Sequence, residues 1–590
     1  MSDVLRIANC SGFYGDRLSA AREMVEGGPI DILTGDYLAE LTLMILLKDR
    51  MRDPSLGYAR TFLRQLEEVA ASCAERGIKI VVNAGGLNPA GCAEAARALY
   101  TKLGIRAAVA HIEGDDLLPR LERLQAEGES FSHLDKDIPL SSLEQPVLSA
   151  NAYLGGWGIA AALERGADLV ICPRVTDAAL TLGPAAWRFG WARDDWDRLA
   201  AGVVAGHVIE CGAQCTGGNY AFFREVKDLH HPGFPIAEMH ADGSFVITKH
   251  EGTGGLVDVG TVTAQLLYEI AGPAYLNPDV TARFDTIHLE PDGADRVRVS
   301  GVRGEPPPPT AKVCINHLGG FRNSMTFVLA GLDIEEKARL AEQTLWEALG
   351  GKQRFAETHV SLRRGDQPDP SNNEQAFAFL TVAVKDPDRE KVGRAFTSKA
   401  VEMALASYPG FTTTSPPAKE TQFGVYWPAL VAAEAIEQCV VIGDETLAIA
   451  PTAIPPRFDA PTVTAQSTRE MPSGPTRESP LGVICGARSG DKGGNANVGI
   501  WTRSADAYDW LDAFLSVERL RELLPETREL AVDRFAFPNL RAINFVIKGL
   551  LGDGVAASLR SDPQAKSFGE YLRAKHVPIP VSLLDASESR

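Results

Sequence analysis

The sequence predicts an α/β protein. An open, mostly parallel sheet with flanking helices is followed by an α+β middle region and a small C-terminal α+β domain of ferredoxin-like type. Three observations carry this. The first third alternates short apolar runs, glycine-containing loops and helical stretches, the pattern of βα units. From about residue 205 helical periodicity thins out, and Gly and Pro become frequent. Residues 451–480 are rich in Pro, Thr and Ser and poor in apolar residues, which is linker composition. For 590 residues, at roughly 100–200 per domain, the expected division is 1–204, 205–450, a linker at 451–480, and 481–590.

The elements follow in order. Strands are predicted at Val4–Asn9, Ile30–Leu33, Ile78–Asn83, Ala107–Ala110, Val147–Ala150 and Leu169–Cys172. Ile78–Asn83 is almost wholly apolar, as in a strand buried on both faces. Helices are predicted at Leu18–Val25, Tyr37–Asp49, Thr61–Arg76, from about Gly91 to Leu103, and at Ile159–Arg165. Gly77 is placed to close the third. In the middle region Phe245–Thr248, Thr286–Leu289, Val297–Val302 and Ala376–Val384 read as strands, and Ile334–Leu349 and Arg389–Ser407 as helices. After the linker, strands at Leu481–Cys485, Ala496–Trp501 and Arg541–Ile547 combine with helices at Ala507–Leu515, Val517–Leu523 and Phe568–Lys575.

Lys plus Arg total 59 against 77 Asp plus Glu, a formal charge of −18. Such a surface repels nucleic acid and anionic membrane, so neither is expected as a partner. A small anionic ligand needs only a local positive patch. No apolar run approaches the roughly 18 residues of a membrane span. The first ten residues lack the pattern of a signal peptide. The nine cysteines are odd in number and scattered, so a reducing, cytoplasmic location is expected. Cys211 and Cys215 stand as a lone C-x3-C, read as two small buried thiols in preference to a zinc site.

In an open parallel sheet, ligands bind beyond the carboxyl ends of the strands. The loop after the first strand, Ser11-Gly12-Phe13-Tyr14-Gly15-Asp16-Arg17, offers glycines for close approach and an arginine fork. Asp16 is equally suited to capping the next helix. The second strand ends at Asp36, with Glu40 one turn further on. Two carboxylates there suit acid–base work or a divalent cation, and an N-cap with a first-turn Glu is the plain alternative. The third ends in Asn83-Ala84-Gly85-Gly86-Leu87-Asn88-Pro89, where amides could hold a carbonyl oxygen, or simply make a turn. Three such loops at three successive strand ends favour a site.

Asn151 begins a segment containing Gly156-Trp157-Gly158-Ile159-Ala160-Ala161, a partial dinucleotide fingerprint. Asp177 comes late, after Cys172-Pro173-Arg174, and the unit is the fifth, not the first. The loop is therefore read as touching a ligand other than a nicotinamide, with Arg174 and Asp177 on its rim or forming an internal ion pair. His207, Glu210, Gln214 and Asn219 are further hydrogen-bonding candidates in a glycine-rich stretch. The block Arg488-Ser489-Gly490-Asp491-Lys492-Gly493-Gly494-Asn495-Ala496-Asn497 has anion-binding composition, with a tight hairpin as the alternative.

Together, Ser11–Arg17, Thr34–Glu40, Asn83–Pro89, His207–Asn219 and Arg488–Asn497 resemble the motifs of the acyclic terpene utilisation family, the AtuA-like proteins. The resemblance runs through nearly the whole chain and includes that family's C-terminal ferredoxin-like domain. The family is associated with gene sets for branched acyl-CoA breakdown, as in citronellol and geraniol catabolism. It supplies no agreed catalytic residues. The resemblance therefore implies hydration, dehydration or carbon–carbon cleavage of a branched or hydroxylated acyl-CoA, with coenzyme A as part of the substrate.

The expectation is a lyase or hydro-lyase acting on a CoA thioester. Asp36 or Glu40 would be the base. Asn83, the Gly85-Gly86 backbone and Asn88 would hold the developing oxyanion. Arg17 and Lys492 would face a carboxylate or phosphate, if the small domain folds over the cleft. A divalent cation is compatible but no strong ligand spacing demands it, and a homo-oligomer is expected. The competing expectations are a non-catalytic binding or scaffold subunit of an acyl-CoA enzyme, and an acyl-CoA hydrolase, for which Cys172 is the mild thiol candidate.

Overall fold

The computed structural model describes residues 3–452 and 474–588. The expected linker falls largely on 453–473, outside the described residues. Its last part is ordered differently from the expectation, because Thr476–Pro480 is a strand paired with His576–Pro580.

The βα units of the first third build a parallel centre, but the sheet as a whole is mixed. Val4–Asn9, Ile32–Gly35, Lys79–Val82, Leu169–Ile171 and Val109–Glu113 lie side by side in that order, all parallel. Antiparallel strands extend both edges. Pro235–His240, Phe245–Lys249, Arg296–Ser300 and His288–Pro291 continue from the first strand, and Cys439–Ile442 and Glu445–Ala448 from Val109–Glu113. The expected mostly parallel sheet is corrected accordingly. Parallel pairing needs a crossover helix between strands, and after Ile171 the chain returns through hairpins. The first sheet thus draws strands from both 1–204 and 205–450.

The strand expected at Val147–Ala150 exists as Val147–Ala152 but leaves this sheet. Both flanks of Val109–Glu113 are taken, by Leu169–Ile171 and Cys439–Ile442. Val147–Ala152 instead pairs with Thr310–Ala330, a 21-residue strand that the sequence reading left out. Gly319-Gly320 interrupts its apolar pattern. A register shift between Leu318 and Gly320 lets its first half pair with Val147–Ala152 and its second half with Phe377–Asp386. Thr421–Ala432 pairs along Thr310–Arg322 in this second sheet, which also holds Glu357–Arg364 and Thr412–Thr413.

The C-terminal strands run Cys485–Lys492, Asn495–Thr502, Ala542–Ile547 and Val532–Phe537, all antiparallel. The glycine-rich block is a β-hairpin turning at Gly493-Gly494, so the hairpin alternative describes its backbone. Side chains alternate across a strand. Val498, Ile500, Ile543, Phe545 and Ile547 face the small domain's own helices, whereas Trp501, Ala542 and Val546 join the core of the large part. No helix among the described residues is long and apolar enough to cross a membrane.

Candidate active site

Parallel register sets the first two residues of the site. Thr34 lies opposite Val81 and Gly35 opposite Val82, so Asp36 and Asn83 leave the sheet at the same edge. The Asn83 amide donates to Asp36 Oδ1 at 2.6 Å, and its own oxygen accepts from the Tyr37 N–H at 2.7 Å. Asp36 is 5% exposed. It is not an N-cap, because the helix begins at Glu40 with Ala39 in that position. Burial, then the charges of Asp177 and Glu210, push its carboxyl well above the usual range against the pull of Arg174 and Asn83.

Glu40 has the opposite fate. Burial alone would raise it, but Lys312, Arg174 and the Tyr153 hydroxyl together hold it down at about 2. Tyr153 donates to Glu40 Oε1 at 2.7 Å, and Lys312 Nζ stands 3.5 Å away. The Tyr153 ring carries Arg174 at 4.1 Å and Lys312 at 4.8 Å from its centroid. Arg174 is ion-paired to Asp177 at 2.5 Å through Nη1, which also donates to the Val175 carbonyl. Its Nε is buried without a partner. Asn151 lies behind this group, donating to Asp115, whose other contact is the Arg174 N–H.

His207 and Glu210 arrive from the end of the helix Trp196–Ile209. Asn9, at the tip of the first strand, pins that end by donating to the Ile209 and Glu210 carbonyls at 2.6 and 2.9 Å. Gly12 lets the first loop close on the same turn, since a Cβ there would lie 2.6 Å from the Cys211 carbonyl carbon. His207 Nδ1 is 3.2 Å from Glu210 Oε1 without an aligned hydrogen bond, and His207 Nε2 and Glu210 Oε2 have no partner. Burial keeps His207 down at about 4, therefore neutral at pH 7. Burial, Asp177 and Glu269 push Glu210 well up.

Lys492 enters from the small domain. Its ammonium donates to the Glu269 carbonyl at 2.9 Å and forms no ion pair with a described carboxylate. The residue keeps some open surface, but the ammonium is enclosed. Burial and the neighbouring Lys312 lower it to about 8. Arg488 stacks on the Tyr268 ring at 4.3 Å and reaches the Asn219 carbonyl at 3.5 Å.

Asp36, Glu40, Asn83, Arg174, Asp177, His207, Glu210 and Lys492 thus lie together as one largely buried polar cluster, the candidate cleft. Several expected residues are engaged elsewhere. Asp16 accepts from the Gly12 and Arg17 N–H groups, which makes it a turn residue. Arg17 is spent on Glu23 and the Pro232 carbonyl. Ser11 Oγ donates to the Phe13 carbonyl, Gly15 is exposed, and Tyr14 packs beside Leu38, Leu43 and Tyr153. The Gly85 N–H is bonded to Cys172 O and the Gly86 N–H faces Asn83 O, which leaves neither for an oxyanion. Gln214 and Asn219 bond weakly to each other at 3.4 Å. Asn495 bridges Asp135 and the Gly549 N–H.

Asn88 caps the helix Pro89–Lys102 by accepting from the Gly91 N–H, while its amide donates to the Ser55 and Leu56 carbonyls. Asn88→Ala should therefore cost about 1 kcal/mol of stability and leave turnover unchanged. Chemical denaturation and a steady-state assay on the same preparation check both halves.

The position where a dinucleotide would place its pyrophosphate is filled by the chain itself. Asp279 Oδ2 accepts from the Gly156 N–H at 2.7 Å, and a Cβ on Gly155 would collide with the same carboxylate. Among the described residues no three His, Cys, Asp or Glu side chains are grouped to hold a metal ion. Cys211, Cys215 and Cys172 are free thiols pushed up by burial, without activation.

Two family sequence profiles match the chain. That of the acyclic terpene utilisation family protein AtuA matches residues 5–442, and that of the AtuA ferredoxin-like domain matches 479–578. The chain belongs to the acyclic terpene utilisation family. No curated protein and no solved structure matches it. The two AtuA segments meet at the cleft, for Lys492 lies in the second and the other residues above in the first.

Sequence reasoning missed Glu269, Lys312, Tyr153, Tyr268, Tyr275, Tyr426 and Asp491, all of which act on the charges of the cleft. Tyr153 and Asp491 lay inside segments already singled out. The others sit in apolar runs or strands with no loop signature.

Proposed function

We propose that this chain is an enzyme of branched-chain or acyclic terpenoid acyl-CoA catabolism, a lyase or hydro-lyase acting on an acyl-CoA thioester. Its membership of a family implicated in acyclic terpene utilisation supplies the context. The observation that carries the chemistry is a set of enclosed polar atoms left without partners: His207 Nε2, Glu210 Oε2, Arg174 Nε and the Tyr426 hydroxyl. Buried polar groups are normally satisfied, and four orphans in one cleft are complementary to a polar ligand.

Asp36 is the favoured proton carrier. A carboxyl whose ionisation is pushed up by burial and neighbouring carboxylates can both take a proton and return it. In a dehydration it would remove the proton on the carbon beside the thioester carbonyl. Lys492, Lys312 and Arg174 supply positive charge for the enolate oxygen that forms. Glu210, also pushed up, would protonate the departing hydroxyl, so that a C–H and a C–O bond break, a C=C bond forms and water leaves. Glu40, held ionised against Tyr153 and Lys312, is assigned to positioning these cations.

The purified protein should be incubated with a panel of saturated, unsaturated and 3-hydroxylated branched acyl-CoA thioesters, and the products followed by mass. A change of 18 mass units supports hydro-lyase chemistry, and fragment acids or ketones support carbon–carbon cleavage. Free coenzyme A as the sole change would assign a hydrolase. Saturable binding with no product would assign a binding subunit.

Lys492 gives this reading a pH signature. The lysine is cationic below about 8 and neutral above it. Thioester affinity should therefore weaken as pH rises through that value, by about 10-fold between pH 7 and pH 9. In Lys492→Met affinity should be lower throughout and flat over the same range. A wild-type dissociation constant independent of pH would remove Lys492 from the ligand site.

A further inference from the structure

We infer that the small C-terminal domain is a working part of the active centre, holding the Glu269 carboxyl among the reacting groups by gripping the peptide units on both sides of it. This rests on the cleft being the active site proposed above.

Five consecutive residues, 267–271, are held by one face of the small sheet. The Asn497 amide donates to the Leu267 carbonyl at 2.7 Å, and its oxygen accepts from the Glu269 N–H at 2.9 Å. Lys492 Nζ donates to the Glu269 carbonyl. The Asn544 amide donates to the Ile270 and Ala271 carbonyls at 3.0 and 2.7 Å, and Asn497 and Asn544 are bonded to each other. Gly490 and Gly499 clear the space: a Cβ on either would fall within 2.5 Å of Tyr268 or Leu267. All these positions share a face because strand side chains alternate.

The grip holds Glu269 at φ +57°, the left-handed region that favours glycine. A turn needing only that backbone would carry Gly or Asn. A long acidic side chain there is an expense in strain, and enclosure of its carboxyl is a second one. Its carboxyl nonetheless lies within electrostatic reach of His207, Glu210, Cys211, Tyr275 and Asp491. A residue that breaks two local rules at a site is expected to serve the site. Glu269 is then a catalytic residue, and Asn497 and Asn544 are positioning residues acting through it.

The test uses full-length Glu269→Gln, Glu269→Gly and Asn497→Ala, with Asn497→Ser where the alanine variant is not recovered folded. As pH is lowered, the infrared spectrum of wild type minus Glu269→Gln should gain the C=O stretch of an enclosed carboxylic acid at a higher pH than an exposed glutamate would show it. The same difference taken in the Asn497 background should show that band shifted or lost. Glu269→Gly should melt at or above the wild-type temperature. Glu269→Gln should lower kcat by about 100-fold or more with KM nearly unchanged.

The inference is overturned by a featureless infrared difference, by a band indifferent to Asn497, by a glycine variant that melts several degrees lower, or by retained turnover. If wild type converts none of the thioesters, the reaction proposed above fails. The infrared and melting results still decide the role of Glu269.

Discussion

Asp36→Asn is expected to melt higher than wild type and to lose turnover by at least about 100-fold, the lower end of what acid–base catalysis contributes. The substitution keeps shape and keeps an oxygen for the Asn83 amide and the Leu38 N–H, which both bond Asp36 Oδ1. It removes a carboxyl whose folded-state pKa lies above its unfolded value. Such a group destabilises the fold at any pH above its unfolded pKa, because ionising it is harder inside than outside. The stability gain of the variant should therefore be present at pH 7, about 1 °C or more in Tm for a chain of this size. It should vanish as pH falls toward 4. Calorimetry at pH 7 and pH 4.5, paired with the thioester assay, reads both effects. A destabilised but active Asn variant would make Asp36 a structural residue.

Arg174→Met should produce the largest loss of stability, about 3 kcal/mol, the lower part of the range for breaking a buried pair. Arg174 is 3% exposed and serves three partners: the Asp177 carboxylate, the Val175 carbonyl and the Tyr153 ring. Removing it leaves Asp177 near Asp36 and Glu210 without the guanidinium that pairs with it. Asp177 keeps 29% of its side chain open to solvent, which places the loss in the lower part of that range. Arg174→Met/Asp177→Asn should recover at least half the loss, because the stranded charge goes with its partner. Urea denaturation of the single and double variants gives the comparison. A double variant no more stable than the single one would mean that the loss is packing and not charge.

How much of the site was legible depended on how far each contact reaches along the chain. Asp36 and Asn83 could be paired from sequence because adjacent parallel strands of similar length end at one edge, and each strand end carries its own loop. The same reasoning overreached at Arg17, Gly85, Gly86 and Asn88. Those residues have donors suited to a ligand, but their own turns and caps consume them first. A pattern of residue types cannot report which hydrogen bonds are already made.

The C-terminal block shows both sides. Its composition identified Arg488 and Lys492 as local positive charge in an acidic protein, and Asp-Lys-Gly-Gly pointed to a turn. Strand alternation then decides that Arg488, Gly490 and Lys492 face the large part, and Asn495, opposite Lys492, reaches Asp135 of that same part.

By itself the sequence determined the parallel centre, the strand-end carboxylates, the family and the small domain with its basic hairpin, because each is written in local periodicity, turn chemistry or an ordered set of motifs. Tertiary structure alone decided the antiparallel edges, the departure of Val147–Ala152 to the second sheet, and the convergence of Glu269, Lys312, Tyr426 and Lys492 on Glu40. Those partners lie more than two hundred residues from Glu40 in the chain. Only packing brings these groups together, and no window of sequence contains that event.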